Sequence, residues 1–246
     1  MTCIKAGAVE AVHQHPNQRR DVPPRGMVMT EILAATVADG EGHGSARDGA
    51  DDFTCRADPW ELFREWMSEA KRTEPNDPHA MALATTGADG MPDVRIMLLK
   101  SYDERGFVFF TNDRSAKGAE LGQNAQAAIV LHWKSLRRQV RARGAVAPVS
   151  PEESDAYFAS RPRESRVGAV ASRQSQPLAD RATLLREVDA VASRSDGKPV
   201  PRPAHWRGFR IIPVAFEFWQ DRAYRLHDRV RFASDGALWT RTRLYP

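Results

Sequence analysis

Residues 79–111, HAMALATTGADGMPDVRIMLLKSYDERGFVFFT, decide the fold class of this chain. The stretch contains three apolar segments that we interpret as strands, at residues 79–86, 91–100 and 107–111. Gly-rich and polar turns at 87–90 and 101–106 separate them. These turns are too short for a helical crossover, so they predict antiparallel pairing in a meander.

Two more strands are predicted downstream, at residues 127–133 and 139–149. Helices are predicted at residues 58–72, 115–121, 150–161 and 177–194. Asp58-Pro59 and Ser150-Pro151 each combine a capping side chain with Pro at the first helical position. Many short strands with few long helices between them predict a mainly β fold with flanking helices (α+β), a barrel or a sandwich, and disfavour a doubly wound sheet.

Composition excludes several classes of protein. The chain has 246 residues, of which 41% are hydrophobic and 28% charged, as in an ordinary globular protein. No apolar run approaches the roughly 20 residues that a membrane helix needs, so no membrane partner is expected. Cys3 and Cys55 have no metal-ligand spacing. We therefore expect neither a metal site nor a disulfide, and a reducing cytoplasm as the location.

The composition changes near residue 57. Residues 1–56 are rich in Gly, Pro, Asp, Ala and His and predict a flexible N-terminal segment. Residues 57–246 form the predicted folded domain. His13, His15 and His43 lack a partner at metal-binding spacing and are interpreted as solvated.

Basic residues cluster in the strand-rich region. Residues 134–143 carry five basic side chains and no acidic one, and the formal net charge is +4. Arginine and lysine at such places suit phosphate oxygens, although a solvated basic face has the same pattern. Nucleic acid is a weaker candidate, because its single strands require exposed aromatic side chains among the basic ones. Here the aromatic residues lie inside apolar runs, so no nucleic-acid partner is expected.

A second basic cluster lies near the C-terminus, after the aromatic run at residues 214–220. On a strand, Arg225, His227 and Arg229 would share one face. Such charges beside an aromatic strand indicate an anionic ligand, or else an edge strand that is protected against aggregation.

Seven motifs in a shared order carry a resemblance to a known family. They are RIMLLK at 95–100, FFTN at 109–112 with Lys117, RQV at 138–140, YF at 157–158 with SRPR at 160–163 and Ser165, SRQS at 172–175, EFWQ at 217–220 and RLHDR at 225–229. The chain resembles the pyridoxamine (pyridoxine) 5′-phosphate oxidases from about residue 58 to residue 246.

The resemblance implies a homodimeric split β-barrel that binds FMN at the subunit interface. The implied FMN contacts are Arg95, Ile96, Met97, Leu98, Leu99, Lys100, Phe110, Thr111, Lys117, Gln139, Gln174, Ser175, Trp219 and Arg229. The implied contacts of the substrate phosphate are Lys100, Tyr157, Arg161 and Ser165. Arg225 and His227 would lie over the pyridine ring as the catalytic pair.

The implied reaction removes a hydride from the carbon that bears the substrate's amine or hydroxyl. FMN supplies the redox chemistry, and the protein supplies binding and orientation. The products are pyridoxal 5′-phosphate and, from molecular oxygen, hydrogen peroxide. His227 is the residue of this set whose charge can change near neutral pH, so proton transfer by His227 is a further hypothesis besides positioning.

The chain also departs from the family pattern. Ala116 replaces the Arg of an Arg-Lys pair that binds the FMN phosphate, which predicts weaker FMN retention unless Arg114 compensates. Phe110 replaces a Tyr, and Arg207 replaces a Gly. An Arg and a Tyr that close over the substrate are not found in residues 40–57. Two alternatives therefore stay open: an oxidase for another ring substrate, of the phenazine-biosynthesis type, and a non-catalytic binder of flavin or pyridoxal phosphate.

One spacing conflicts with a regular strand. Arg95 and Lys100 are five residues apart, which would put their side chains on opposite faces. A β-bulge, or ligands approached from both sides of a dimer interface, would remove the conflict.

Overall fold

A computed structural model describes residues 52–246. Its α-helices are α1 (Pro59–Thr73), α2 (Ala116–Gln123), α3 (Pro151–Ser160), α4 (Arg163–Ala171) and α5 (Arg181–Arg194). Its strands are β1 (Ala80–Thr86), β2 (Pro92–Leu98), β3 (Ser101–Asp103), β4 (Gly106–Asn112), β5 (Gln126–Trp133), β6 (Arg138–Pro148), β7 (Trp206–Gln220), β8 (Asp228–Ser234) and β9 (Trp239–Leu244). Short 3-10 turns lie at Phe53–Cys55 and Ala223–Arg225.

All described strands belong to one antiparallel sheet. Its order is β2-β1-β5-β6-β7-β4-β3, with β8 on β7 and β9 on β8. The long strand β7 explains how a single sheet curls. Its first half pairs with β4 and its second half pairs with β8 along the same edge, while β6 follows the other edge throughout. The two neighbours on one edge diverge, so the sheet opens between them.

A β-bulge bends the sheet in the middle of β6 and β7. The register shifts between Arg143 and Gly144, and Val214 is skipped in the pairing. A Cβ atom at Gly144 would lie 1.8 Å from the carbonyl oxygen of Ile212, so only glycine allows the two backbones to approach this closely.

Helix α1 fills the concave side of the sheet. The carboxylate of Asp58 accepts a 2.7 Å hydrogen bond from the N–H of Trp60 and caps the helix. Trp60, Phe63 and Trp66 are buried, because they recur at helical spacing and face the sheet. Trp60 packs on Phe107 at a ring distance of 4.9 Å, so α1 and the sheet form one aromatic core.

The predicted mainly β fold with flanking helices is confirmed, with local corrections. The predicted turn at 101–106 contains the short strand β3. The last predicted helix begins at Arg181 instead of 177, because the side chain of Asp180 caps it by accepting from the N–H of Thr183. Ser165, predicted in a loop, lies in α4, since Pro162 ends α3 and precedes a new helix.

The C-terminal basic cluster also differs from its prediction. Arg225 belongs to a 3-10 turn and His227 precedes β8, so these two residues do not share a strand face with Arg229. Tyr224 and Arg225 have φ angles of 56° and 60°, a left-handed conformation that no strand contains. The chain reverses here in a tight loop between β7 and β8.

Residues 52–56 pack on the folded domain, although the sequence assigned them to the N-terminal segment. Phe53 is buried, and its ring lies 4.9 Å from that of Trp66. Arg243 reaches the carboxylate of Asp52 at 3.3 Å. The remainder of that predicted segment, and Cys3, lie outside the described residues. Between residues 52 and 246, no helix is long and apolar enough to cross a membrane.

Candidate active site

A cleft of about 720 Å³ opens between strand β2, the end of β4 and helices α3 and α4. It is lined by ten residues that the sequence assigned to FMN or substrate: Ile96, Met97, Leu98, Lys100, Phe110, Thr111, Tyr157, Arg161, Ser165 and Gln174. Further lining residues are Asn112, Pro162, Gly168, Ala169, Ser172 and Trp206. The cleft therefore joins the four implied contacts of the substrate phosphate with one part of the implied FMN contacts.

Arg161 is the most unusual side chain of this cleft. It follows the last turn of α3, and its Nη1 atom is buried without a hydrogen-bond partner in the described part of the chain. The guanidinium carbon lies 5.0 Å from the ring centre of Trp206. Burial lowers the pKa of Arg161, which reflects the cost of desolvating its charge. A half-buried cation with a buried, unused donor atom indicates a site for an anion.

Three stacked aromatic rings lie beside Arg161 in the cleft. They belong to Phe110, Tyr157 and Trp206. Phe110 stacks on Tyr157 at 4.1 Å and on Trp206 at 5.3 Å. Lys100 lies 6.0 Å above the ring of Tyr157. Phe110, which lacks the hydroxyl of the family's Tyr, is thus a packing residue between two rings. No local pattern in the sequence indicated Trp206 as a cleft residue, because only folding brings the start of β7 against α3.

The spacing conflict between Arg95 and Lys100 disappears because β2 ends at Leu98. Lys100 follows the strand, and its N–H donates to the carbonyl of Val108. No bulge is needed. Leu99, an implied FMN contact, is 4% exposed and packs in the core, so its side chain does not line the cleft.

Lys117 and Arg95 form a basic pair beside helix α2. Arg95 is bound by Asp93 at 2.6 Å and by Glu120 at 3.0 Å. Lys117 is 6% exposed, and its Nζ atom donates only to the hydroxyl of Ser115, at 3.4 Å, among the described residues. Burial and the charge of Arg95 lower the pKa of Lys117 below its ordinary value of 10.5.

Two implied FMN contacts, Thr111 at the end of β4 and Gln174 in the loop after α4, are joined by a side-chain hydrogen bond. Thr111 Oγ1 donates to Gln174 Oε1 at 3.4 Å. Ser175 follows with a φ of 71° and is exposed. Thr111 and Gln174 line the cleft, whereas Ser175 does not.

The remaining implied residues form a second group. Gln139, Trp219 and Arg229 are register partners across β6, β7 and β8, so their side chains share one face of the sheet. Arg229 pairs with Glu217 at 2.7 Å. The ring of His227 lies 4.7 Å from that of Trp219, and Arg225 lies in the adjoining loop.

One protomer does not bring the two groups together. Trp206 at the cleft and Trp219 in the second group are thirteen residues apart on the single strand β7. At the rise of an extended strand, this is on the order of 40 Å. The structure thus gathers ten implied residues at the cleft and places Gln139, Trp219 and the RLHDR loop at the far end of β7.

Comparisons with known proteins agree with this division of the chain. Residues 67–195 match the family model described as pyridoxamine 5′-phosphate oxidase. Residues 206–246 match the pyridoxine 5′-phosphate oxidase C-terminal dimerisation region. The second match contains β7, β8 and β9 and indicates that the chain forms a homodimer.

Curated relatives cover most of the chain. A pyridoxine/pyridoxamine 5′-phosphate oxidase of Gluconobacter oxydans is 58% identical over 191 residues, which are 78% of this chain and 96% of the relative. The protein of the same name from Maricaulis maris is 54% identical over 217 residues, or 87% and 98% of the two chains.

Solved structures show the same fold. PhzG from Burkholderia lata, in complex with tetrahydrophenazine-1-carboxylic acid, is 32% identical with a TM-score of 0.74, over 82% of this chain and 98% of PhzG. A pyridoxamine 5′-phosphate oxidase-related, FMN binding protein from Nostoc punctiforme is 18% identical with a TM-score of 0.64, over 78% and 100%. The latter likeness concerns the fold alone.

Fold and cleft thus define a split-barrel protein whose two groups of candidate binding residues lie at opposite ends of one long strand. The two domain matches and the sequence identity to the curated relatives also identify the family within this class. The chain belongs to the pyridoxine/pyridoxamine 5′-phosphate oxidase family and is an oxidoreductase.

Proposed function

We propose that this protein oxidises pyridoxamine 5′-phosphate or pyridoxine 5′-phosphate to pyridoxal 5′-phosphate with FMN as cofactor, and that molecular oxygen is reduced to hydrogen peroxide. The observation that carries the substrate class is Arg161 Nη1 in the cleft, a buried donor atom that has no hydrogen-bond partner within residues 52–246. A phosphate ester is the substrate group that such a donor fits best, because its oxygens accept several charged hydrogen bonds at once.

The surroundings of Arg161 support a phosphate. Lys100, Tyr157 and Ser165 line the same cleft and add an ammonium and two hydroxyl donors. Ser165 lies in the first turn of α4, whose N-cap is Pro162 and therefore has no side-chain cap. The free N–H groups of that turn and the positive end of the helix favour a negative charge nearby.

The residues around Lys117 fit the phosphate of FMN. A buried ammonium with only one hydroxyl partner among the described residues is costly unless an anion neutralises it. Lys117 and Arg95 would hold the phosphate, and Gln139, Trp219 and Arg229 would contact the cofactor from the second group. When bound, FMN supplies the acceptor for the hydride. Arg225 and His227 orient the substrate's pyridine ring.

Replacing Lys117 by Met is expected to raise the Kd of FMN by at least about tenfold, because one charge-assisted hydrogen bond is lost. The FMN-free protein should not lose stability, since the variant also removes a buried charge.

In the folded FMN-free protein the pKa of Lys117 is below 10.5. The free energy of unfolding should therefore rise with pH from that lowered pKa up to 10.5, and the variant should flatten this rise. Fluorescence titration with FMN and denaturation at several pH values measure both effects. An unchanged Kd would contradict the assignment.

Replacing Ala116 by Arg is expected to lower the Kd of FMN by up to about tenfold, because the substitution adds a guanidinium beside Lys117. Ala116 is exposed at the start of α2, so the longer side chain is accommodated. Arg114 is exposed, and its guanidinium has no hydrogen bond within residues 52–246. If Arg114 already contacts the FMN phosphate, Ala116→Arg will bring no gain, and Arg114→Ala will weaken binding instead.

We assign a composite active site to each half of the homodimer. The cleft of one protomer would be completed by Gln139, Trp219 and the RLHDR loop of its partner, because these groups lie too far apart within one chain. Exposed apolar side chains support a covered surface here: Val94, Ile96, Leu98, Ile212 and Val214. We expect the reaction to occur in the cytoplasm, and the free thiol of Cys55 is consistent with a reducing compartment.

The function is tested by anaerobic mixing. The protein is loaded with FMN, mixed with pyridoxamine 5′-phosphate without oxygen, and followed by flavin absorbance. Bleaching that recovers in air, with pyridoxal 5′-phosphate formed, is the expected result. Bound flavin that stays oxidised would refute the oxidase assignment for this substrate and favour a binder without turnover. Bleaching only by a reduced phenazine carboxylic acid would favour the function of the PhzG type.

A further inference from the structure

The loop between β7 and β8 holds His227 by contacts that involve one atom of its ring. Asp221 Oδ1 lies 3.0 Å from His227 Nδ1, and the backbone N–H of Arg222 points at the same nitrogen at 3.2 Å. The side chains of His227 and Asp221 are 18% and 13% exposed, so solvent screens this contact only partly. Nε2 makes no hydrogen bond within residues 52–246.

A single ring nitrogen cannot satisfy both neighbours at once. If Nδ1 carries the proton, it donates to the carboxylate of Asp221 and leaves a lone pair on Nε2 in the neutral ring. If Nδ1 is bare, it accepts from the N–H of Arg222, and Nε2 carries the proton instead. Whichever neighbour prevails therefore decides whether Nε2 accepts or donates a hydrogen bond.

We propose that Asp221 is a positioning residue for the reaction, which keeps the proton of the neutral His227 ring on Nδ1 and so presents Nε2 as an acceptor towards the substrate. The inference rests on the proposed function insofar as His227 contacts the substrate. An anionic oxygen at 3.0 Å is a stronger partner for Nδ1 than a backbone N–H at 3.2 Å, because the hydrogen bond to a carboxylate is charge-assisted.

Asp221 is itself fixed from the neighbouring turn. Its second carboxylate oxygen pairs with Arg137, and its backbone N–H donates to the carbonyl of Arg137 at 3.0 Å. Arg137 has a φ of 53° in the turn between β5 and β6, so its backbone conformation is specific to this turn. The β5–β6 turn thus determines where the carboxylate meets the imidazole.

Arg222 and Asp228, two other charged groups of the loop, are already paired. Arg222 Nε donates to Asp228 at 2.7 Å, and Arg243 binds the second oxygen of Asp228 at 2.6 Å. The ring of Trp219 covers one side of the imidazole. Arg225 is part of the same loop and has no ion pair within the described residues. Among the carboxylates of the described chain, Asp221 is accordingly the one that meets the His227 ring.

A purely structural role of Asp221 is the competing explanation, since the same contacts also hold the loop. The two roles differ in one observable, the tautomer of His227. If Asp221 only holds the loop in place, replacing it should not change which nitrogen of His227 carries the proton once the loop is folded. A positioning carboxylate determines it, and an Asn in such a position stabilises the other tautomer, because its amide donates to the bare nitrogen.

The test combines a tautomer measurement with kinetics on the FMN-loaded dimer. Long-range ¹H–¹⁵N spectra of ¹⁵N-histidine-labelled protein report which nitrogen of His227 is protonated, and His227→Asn identifies its signals. We expect Nδ1–H in the wild type and Nε2–H in Asp221→Asn. We also expect kcat/KM to fall by at least about tenfold in Asp221→Asn, with a changed pH profile and partial rescue in Asp221→Glu.

Asp189→Asn, an exposed change of the same kind on α5, is the matched control and should equal the wild type. If Asp221→Asn does not fold, Arg137→Met loosens the carboxylate while leaving it in place and should give a mixture of tautomers. An unchanged Nδ1–H signal in Asp221→Asn would overturn the inference. The spectra require no turnover, so they test Asp221 even if pyridoxamine 5′-phosphate proves not to be the substrate.

Discussion

Replacing Arg161 by Leu is expected to lower kcat/KM for pyridoxamine 5′-phosphate by about 100-fold or more. The loss of a half-buried guanidinium from a phosphate site removes up to two charged hydrogen bonds, of about 1.5–3 kcal/mol each. Most of the effect should appear in KM, because the phosphate is remote from the reacting carbon and is bound equally in the ground and transition states. Steady-state kinetics with saturating FMN measure the loss.

The same substitution, Arg161→Leu, should not destabilise the substrate-free protein, although it weakens catalysis. Arg161 is desolvated and has an unused donor in the substrate-free protein. Leu at this position removes that cost and keeps the apolar contact with Trp206, so the free energy of unfolding should stay equal or rise by about 1 kcal/mol. Thermal denaturation without substrate measures it.

Arg163, two residues further on, is the matched control. Its guanidinium donates to the backbone carbonyls of Lys198 and Ser195 at 3.0 and 2.6 Å, and the residue does not line the cleft. Arg163→Leu should therefore cost about 1–3 kcal/mol of stability, because both hydrogen bonds are lost, and should leave KM nearly unchanged. If Arg161→Leu and Arg163→Leu behave alike, Arg161 is a structural residue and not a ligand of the substrate.

Mixed dimers are expected to recover activity from two inactive variants. Arg161→Leu damages the cleft, and His227→Asn damages the second group. If each site combines the cleft of one chain with the RLHDR loop of the other, a dimer of one variant with the other has one site with both changes and one intact site. At substrate concentrations below the wild-type KM, where the Arg161→Leu parent is nearly inactive, a purified mixed dimer should therefore have about half the wild-type activity.

A dimer of wild-type chain with the Arg161→Leu/His227→Asn double variant is the control for this experiment. In a composite arrangement each of its sites has one change, so it should be nearly inactive. If both groups of residues served the same protomer, the pattern would reverse: the control would retain about half the activity, and the dimer of single variants would have none. Two different affinity tags allow each mixed dimer to be isolated and compared directly.

Local signals predicted most of the secondary structure. The caps at Asp58-Pro59 and Ser150-Pro151 depend on residues within one helical turn, and both helices begin where these caps predict. Strand β4 was equally clear, because a continuous apolar run bounded by turns suits a strand buried on both faces. The family motifs also identified ten of the residues that line the cleft, since those strings keep their order and spacing along the chain.

The errors of the sequence interpretation fall where distant residues determine the backbone. Strand β3 is the local exception, because residues 101–103 pair with residues 106–108 across a two-residue turn. The prediction that Arg225 and His227 lie on a strand was wrong, because Tyr224 and Arg225 adopt positive φ angles. The loop that contains them is hydrogen-bonded to the carbonyl of Arg137 through the N–H of Asp221. Nothing in their own side chains indicates that conformation.

By itself, the sequence determined the mainly β class, the family, and the identity of the candidate binding residues, because periodicity, caps and motif order are properties of neighbours along the chain. Tertiary structure alone decided three further features. It buried the Nη1 atom of Arg161 without a partner among the described residues, brought Asp221 to His227, and separated the two groups of site residues along β7. Each depends on which surfaces meet after the sheet curls, so the physical reason is that burial, ion pairing and distance in space are set by packing between segments far apart in sequence.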